Sequence, residues 1–295
     1  MILNASGCLD ALAAPDVARD LDGFVTKTVT PFPREGNEGV RIAETDVGML
    51  NSIGLANPGI DAFLVETLPR LGELGRPIWV SVGGFKATDY ARICDRLDRH
   101  EEVAALELNL SCPNVEPGAD GAAQVVLTCR AATGKPLYAK LSAAVPDVAD
   151  VARAAEAAGA DGLSLVNTIR GVALDAQTLR PVLGPETGGL SGPALRPIAL
   201  AAVFACFRAT RLPIVGMGGV ATGRDALDLI AAGASAVALG TILFSDPGAP
   251  ARIRSELATE LALRGLSDAS EACGIAHRES AESLESLDRR SRVLS

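Results

Sequence analysis

The chain has 295 residues, enough for one large domain or two small ones, and 48% of them are hydrophobic, so a sizeable core can form. A net charge of −9 and a pI of about 4.9 exclude nucleic acid or an anionic membrane as the main partner. The six cysteines form no C-x-x-C pair and match no zinc or iron–sulfur spacing, so no metal is expected.

A disulfide framework does not suit a chain of this length without a secretion signal, and a reducing cytosol does. The two histidines, His100 and His277, read as solvated surface residues, which argues against a Ser-His-Asp machine. No apolar run reaches membrane-spanning length and the first residues lack a basic n-region, so a soluble cytoplasmic protein is expected.

In chain order, Met1 to Leu3 leads into the small-residue turn Asn4-Ala5-Ser6-Gly7, and Leu12 to Arg19 reads as a short helix. Gly23 to Thr28 is a strand with Lys27 near its end, and Pro31 to Asn37 is a loop. Met49 to Leu55 reads as a short strand entering a Gly turn, and Pro58-Gly59 sets up a helix through about Arg70. Strands are predicted at Ile78–Val82, Leu106–Leu110, Leu137–Leu141, Gly162–Val166, Ile214–Met217 and Ala236–Leu239. Helices are predicted at Thr88–Arg99 with Thr88 as N-cap, Gly121–Ala132, Pro146–Ala158, Pro193–Phe207, Thr222–Ala232 and Pro250–Leu263. A Gly- and Pro-rich excursion covers Arg170 to Ser191.

Eight strand candidates, starting near 23, 49, 78, 104, 137, 161, 213 and 235, alternate with helices. That alternation predicts an α/β fold, a closed (β/α)8 TIM barrel in a single domain over 1–295, with a peripheral charged tail from about 279. An open dinucleotide-binding sheet would carry G-x-G-x-x-G after its first strand, and this chain does not.

In such a barrel the loops after the strands build the active face. Lys27, Asn51, Asn109, Cys112, Asn114, Lys140, Asn167 and Thr168 all fall at these ends. In Leu108-Asn109-Leu110-Ser111-Cys112-Pro113-Asn114, Pro113 stops the strand, so a thiol and two amides are offered where it ends. Asn109 and Asn114 can hold a flat ring with alternating N–H and C=O groups, and Cys112 between them can act as a base once lightly activated. Lys140, flanked by apolar residues, reads as an inward charge in need of a partner, which an anionic reduced flavin would supply. Gly218-Gly219 and Gly240-Thr241 follow the last two strands and suit a phosphate of a ligand or cofactor.

Together with Thr26-Lys27-Thr28, Pro33 to Asn37, Asn51 to Leu55, Val166-Asn167-Thr168 and Thr187 to Pro193, these pieces run in one order from residue 4 to about 241. The chain resembles the dihydroorotate dehydrogenases, specifically the soluble class 1 enzymes and, within them, the type 1B catalytic subunit. The resemblance implies an FMN-holding flavoprotein that oxidises dihydroorotate to orotate in pyrimidine biosynthesis. It implies Cys112 as the base for the C5 proton, with the C6 hydride passing to flavin N5.

It further implies a substrate site of Lys27, Asn51, Ser52, Ile53, Gly54, Leu55, Asn109, Asn114, Asn167 and Thr168, with the turn from Asn51 to Leu55 near the substrate carboxylate. FMN contacts are implied for Ser6, Lys27, Thr28, Ser81, Asn109, Lys140, Val166 and Gly192, and phosphate contacts for Gly218, Gly219, Gly240 and Thr241. Type 1B enzymes pass electrons to NAD⁺ through a second subunit with FAD and a 2Fe-2S cluster, and a homodimer is expected. The alternatives are a dihydropyrimidine dehydrogenase-like flavoprotein, which shares the barrel and a similar Cys motif, and a non-catalytic flavin-binding barrel. The chain departs from the family pattern in three places. It begins close to Asn4, where relatives have more residues, so a less covered barrel floor is expected. The segment after Asn114 is shorter, and Ser81 stands where many relatives have Asn.

Overall fold

The computed structural model describes residues 1–110 and 118–278. Its strands are β1 (Ile2–Asn4), β2 (Phe24–Val25), β3 (Ile42–Thr45), β4 (Gly48–Asn51), β5 (Ile78–Val82), β6 (Val103–Asn109), β7 (Leu137–Ser142), β8 (Gly162–Asn167), β9 (Ile169–Gly171), β10 (Gly188–Ser191), β11 (Ile214–Met217) and β12 (Ala236–Leu239). The helices are α1 (Pro15–Arg19), α2 (Gly59–Ala62), α3 (Leu68–Gly72), α4 (Ala87–Asp98), α5 (Ala119–Arg130), α6 (Val148–Ala157), α7 (Arg196–Ala209), α8 (Gly223–Ala231), α9 (Ile242–Ser245), α10 (Ala249–Ala262) and α11 (Ala269–Ala272). A π-helical turn, Phe63–Thr67, joins α2 to α3.

Eight strands form one parallel sheet in the order β1-β12-β11-β8-β7-β6-β5-β2. A parallel bridge between Leu3 and Gly23 brings β1 back to β2 and closes the ring. One of the eight predicted barrel strands is therefore corrected. The strand near 49 is not a stave; β1, only three residues long, takes its place. Instead β4 pairs antiparallel with β3 and β10, and β10 with β9, in a separate four-stranded sheet. The Gly- and Pro-rich excursion after β8 supplies two of those strands.

Alternation along each strand sorts the side chains into two cores. On β5, Ile78, Val80 and Val82 face the helices, while Trp79 joins Leu3, Val25, Val215 and Ala236 inside the barrel. Trp79 and Tyr138 meet there with ring centroids 4.3 Å apart.

Helix starts follow local chemistry. Asp225 and Thr222 form a capping box on α8, and Asp147 caps α6 through Ala149 N–H at 2.8 Å. Thr88 is not a cap: α4 starts earlier, because the Asp89 carboxylate accepts from the N–H groups of Phe85 and Lys86 at 2.9 and 3.1 Å. His277 is likewise not a simple surface residue. Its ring stacks on Phe204 at 4.0 Å and its Nε2 lies 2.9 Å from Ala232 O.

Candidate active site

Of the predicted polar residues, Lys27, Asn109, Lys140, Asn167 and Thr168 lie at or close to the C-terminal ends of the barrel strands. β6 ends in Asn109, whose carbonyl accepts from Tyr90 Oη–H at 2.7 Å, fixing the strand end against α4. Asn109 Nδ2 donates to Thr28 Oγ1 at 3.4 Å, and Asn109 Oδ1 accepts from Asn167 Nδ2 at 2.9 Å. Thr28 Oγ1 lies 3.0 Å from Ser81 Oγ, and Ser81 N–H donates to Thr26 Oγ1 at 3.1 Å. Asn167 Oδ1 accepts from Thr168 N–H at 2.8 Å. A hydrogen-bonded belt thus runs from β5 across β2 and β6 to β8. Ser6 sits beside it, its hydroxyl donating to Thr26 O at 2.8 Å.

The four-stranded sheet carries Asn51 to the same belt. Asn51 Nδ2 donates to Gly189 O at 3.3 Å, and a Cβ on Gly189 would collide with Thr168. Beyond Asn51 the chain turns through Gly54 and Leu55, with φ of 73° and 58°. Leu55 is a non-glycine residue held in the left-handed region, a strain that clusters at functional sites. The carbonyls of this turn are all engaged: Ser52 O by Asn37 Nδ2, Ile53 O by Asn37 N–H, Gly54 O by Arg34 and Leu55 O by Asn57. The N–H groups of Ile53, Gly54 and Leu55 donate to no described residue. A turn with its carbonyls tied back and its N–H groups free is suited to an anion such as a carboxylate.

A charged layer lies one step down from the belt. Glu107 and Asn109 share a face of β6, as Tyr138 and Lys140 share a face of β7. Lys140 Nζ pairs with Glu107 Oε1 at 3.3 Å, and the two side chains are 7% and 1% exposed. Within the chain, the predicted need of Lys140 for a partner is met by Glu107. Glu107 was missed in the sequence because its partner lies 33 positions away on the next strand. Lys27 is half-buried, and its side-chain ammonium makes no hydrogen bond or ion pair with a described residue. Burial lowers its pKa, Cys8 opposes that shift and Lys140 adds to it. Burial raises the Cys8 pKa, against the pull of Lys140 and Lys27.

The glycine turns fit a phosphate. Gly219 has φ of 73°, and a Cβ there would sit 2.8 Å from Gly192 O. A Cβ on Gly218 would sit 2.8 Å from Ala199. A Cβ on Gly240 would meet only Ala5 and Cys8, at 3.9 Å, so the space beside it is open. The backbone N–H groups of Gly218, Gly219, Gly240 and Thr241 donate to no described residue. Asp225 holds the following loop by accepting from Ala221 and Thr222 N–H and pairs with Arg196. Val166 and Gly192 lie at the end of β8 and just after β10. Cys112 and Asn114 lie outside the described residues. Among the described residues no group of three or more His, Cys, Asp or Glu could hold a metal, and no helix is long and apolar enough to cross a membrane.

The fold is a (β/α)8 barrel with a polar site at the C-terminal ends of its strands. Residues 1–261 match the family model for dihydroorotate dehydrogenase, and the chain belongs to that family. It is 46% identical over 265 residues to the "Dihydroorotate dehydrogenase B (NAD(+)), catalytic subunit" of Desulforudis audaxviator, covering 88% of this chain and 86% of the relative. The protein of the same description from Latilactobacillus sakei is 45% identical over 279 residues, covering 90% and 91%. Among solved structures, the ligand-free DHODH of Eimeria tenella superposes with a TM-score of 0.79 at 25% identity, covering 94% of this chain and 89% of that one. The same enzyme in complex with ferulenol gives the same TM-score and identity. The type 1B resemblance read from the sequence agrees with the description these relatives carry.

Proposed function

We propose that the chain, as a single domain, binds FMN and oxidises dihydroorotate to orotate, as the catalytic subunit of a cytoplasmic, NAD-linked, two-subunit dihydroorotate dehydrogenase. The observation that carries the reading is the convergence of Thr28, Ser81, Asn109, Asn167 and Thr168 in one belt over a charged layer. FMN, when bound, supplies the acceptor for the C6 hydride.

The chain's own residues do the rest. The free N–H groups of Gly218, Gly219, Gly240 and Thr241 hold the phosphate, aided by the tight approach at Gly192. Ser6, Thr28, Ser81, Asn109, Lys140 and Val166 border the ring, and Lys27 reaches both cofactor and substrate. The turn from Asn51 through Ser52, Ile53 and Gly54 to Leu55 takes the substrate carboxylate through its N–H groups. Asn109, Asn114, Asn167 and Thr168 hold the pyrimidine ring by donor–acceptor pairs, which fixes C5 and C6 in place. Cys112 removes the C5 proton.

Four thiols elsewhere in the chain hold their protons more tightly than a free thiol: burial pushes Cys8 and Cys273 up, the Cys129 hydrogen bond and burial push Cys94 up, and burial pushes Cys206 up to about 12. The description of the relatives as catalytic subunits supports a partner subunit. We further propose that this partner carries FAD and a 2Fe-2S cluster, and that this chain forms a homodimer.

The test is turnover by purified protein with a dye acceptor. FMN and not FAD is expected on denaturation, with dihydroorotate consumed and dihydrouracil left untouched. Colourless protein that rejects FMN, or preference for dihydrouracil, would overturn the reading.

A further inference from the structure

The mechanism above uses Lys140 but leaves its partner without a role. Glu107 is almost fully buried, on the β6 face that ends in Asn109, and its carboxylate lies 3.3 Å from Lys140 Nζ. The described titratable groups around this pair are Lys27 at the end of β2 and Cys8 in the turn after β1. Tyr138 lies on the same face of β7 as Lys140, in register with Glu107. The layer therefore carries two ammonium groups and one carboxylate in a site largely shut from water.

We propose that Glu107 is a positioning residue for the cofactor: its carboxylate anchors the Lys140 ammonium in the barrel and tempers the positive charge that Lys140 presents to the flavin ring. The proposal rests on the reading that FMN lies over Lys140. The ring gains negative charge on reduction, so an ammonium held close favours the reduced form and a carboxylate paired with it holds that preference back. Glu107 sits one inward position deeper on β6 than Asn109, which is in register with Lys140, so its route to a ring at the strand ends runs through Lys140.

The experiment is a redox titration of the purified holoprotein. E107Q, with FMN bound at wild-type stoichiometry, is expected to shift the flavin midpoint potential to more positive values, and E107D to restore it toward wild type. The shift caused by E107Q is expected to shrink in a K140M background, because its route to the ring is gone. A potential that is unchanged or more negative in E107Q, or a shift of equal size in the K140M background, would overturn the proposal. If E107Q alone does not fold, K140M is compared with E107Q/K140M, which removes both charges together. Matching potentials are expected there, and a clear difference would count against the proposal. Wild-type protein that binds no FMN would instead overturn the cofactor reading beneath it.

Discussion

Lys27 shows how a single side chain can work against stability and for function. Its ammonium is half-buried without a carboxylate partner, and burial lowers its pKa below the ordinary lysine value. In the window between the lowered native value and the unfolded value, the unfolded chain binds more protons. Lys27 therefore makes stability rise with pH across that window, and below it the native state bears the full cost. K27M is expected to be more stable than wild type at neutral pH, with the gap closing as pH rises. Urea unfolding at neutral and alkaline pH measures this, and an equal gap at both would refute it. The same substitution should weaken orotate binding by about 1.5–3 kcal/mol, the range for a hydrogen bond to a charged group.

Cys112 is the other decisive residue. C112A is expected to keep FMN and orotate binding while losing about 10²–10⁴-fold in flavin reduction, the usual cost of removing a general base. C112S should retain some activity that needs higher pH, because a hydroxyl is harder to ionise than a thiol. Near wild-type flavin reduction by C112A would move the base elsewhere.

At the scale of elements, the glycine turn after β11 is the sharpest constraint. G219A places a side chain at φ 73° and 2.8 Å from Gly192 O. The left-handed conformation alone costs roughly 1–2 kcal/mol, and the clash adds displacement of the phosphate turn. FMN affinity of the apoprotein, followed by flavin fluorescence, is expected to fall. G75A, with φ of 65° and nothing within 4 Å of its Cβ, is the control that should lose stability and keep FMN affinity. Equal FMN affinity in both variants would argue against a phosphate at this turn.

These turns were legible in the sequence because glycine after a strand has few explanations. The stave formed by Ile2–Asn4 was not, since three residues are too short to display a period. Gly48–Asn51 was misplaced for a related reason: a short apolar run looks alike in a barrel and in a hairpin. The pairing of Glu107 with Lys140 depends on the register between two strands, which no local pattern encodes.

For the whole molecule, closure of the barrel brings residues as distant in sequence as Ser6 and Thr241 to one face, while the four-stranded sheet delivers Asn51 to its rim. No G-x-G-x-x-G follows the first strand, and the described residues offer no metal-ligating cluster. The isolated chain should therefore reduce a dye with dihydroorotate and reduce NAD⁺ only when an electron-transfer partner is added. Rapid NAD⁺ reduction by the chain alone would contradict the two-subunit reading.

The central claim, that this site oxidises dihydroorotate at a bound flavin, is tested most directly by anaerobic stopped-flow mixing of the FMN-loaded protein with dihydroorotate. Rapid bleaching of the flavin absorbance, with orotate formed in equal amount, is the predicted result; a flavin that stays oxidised would contradict the account.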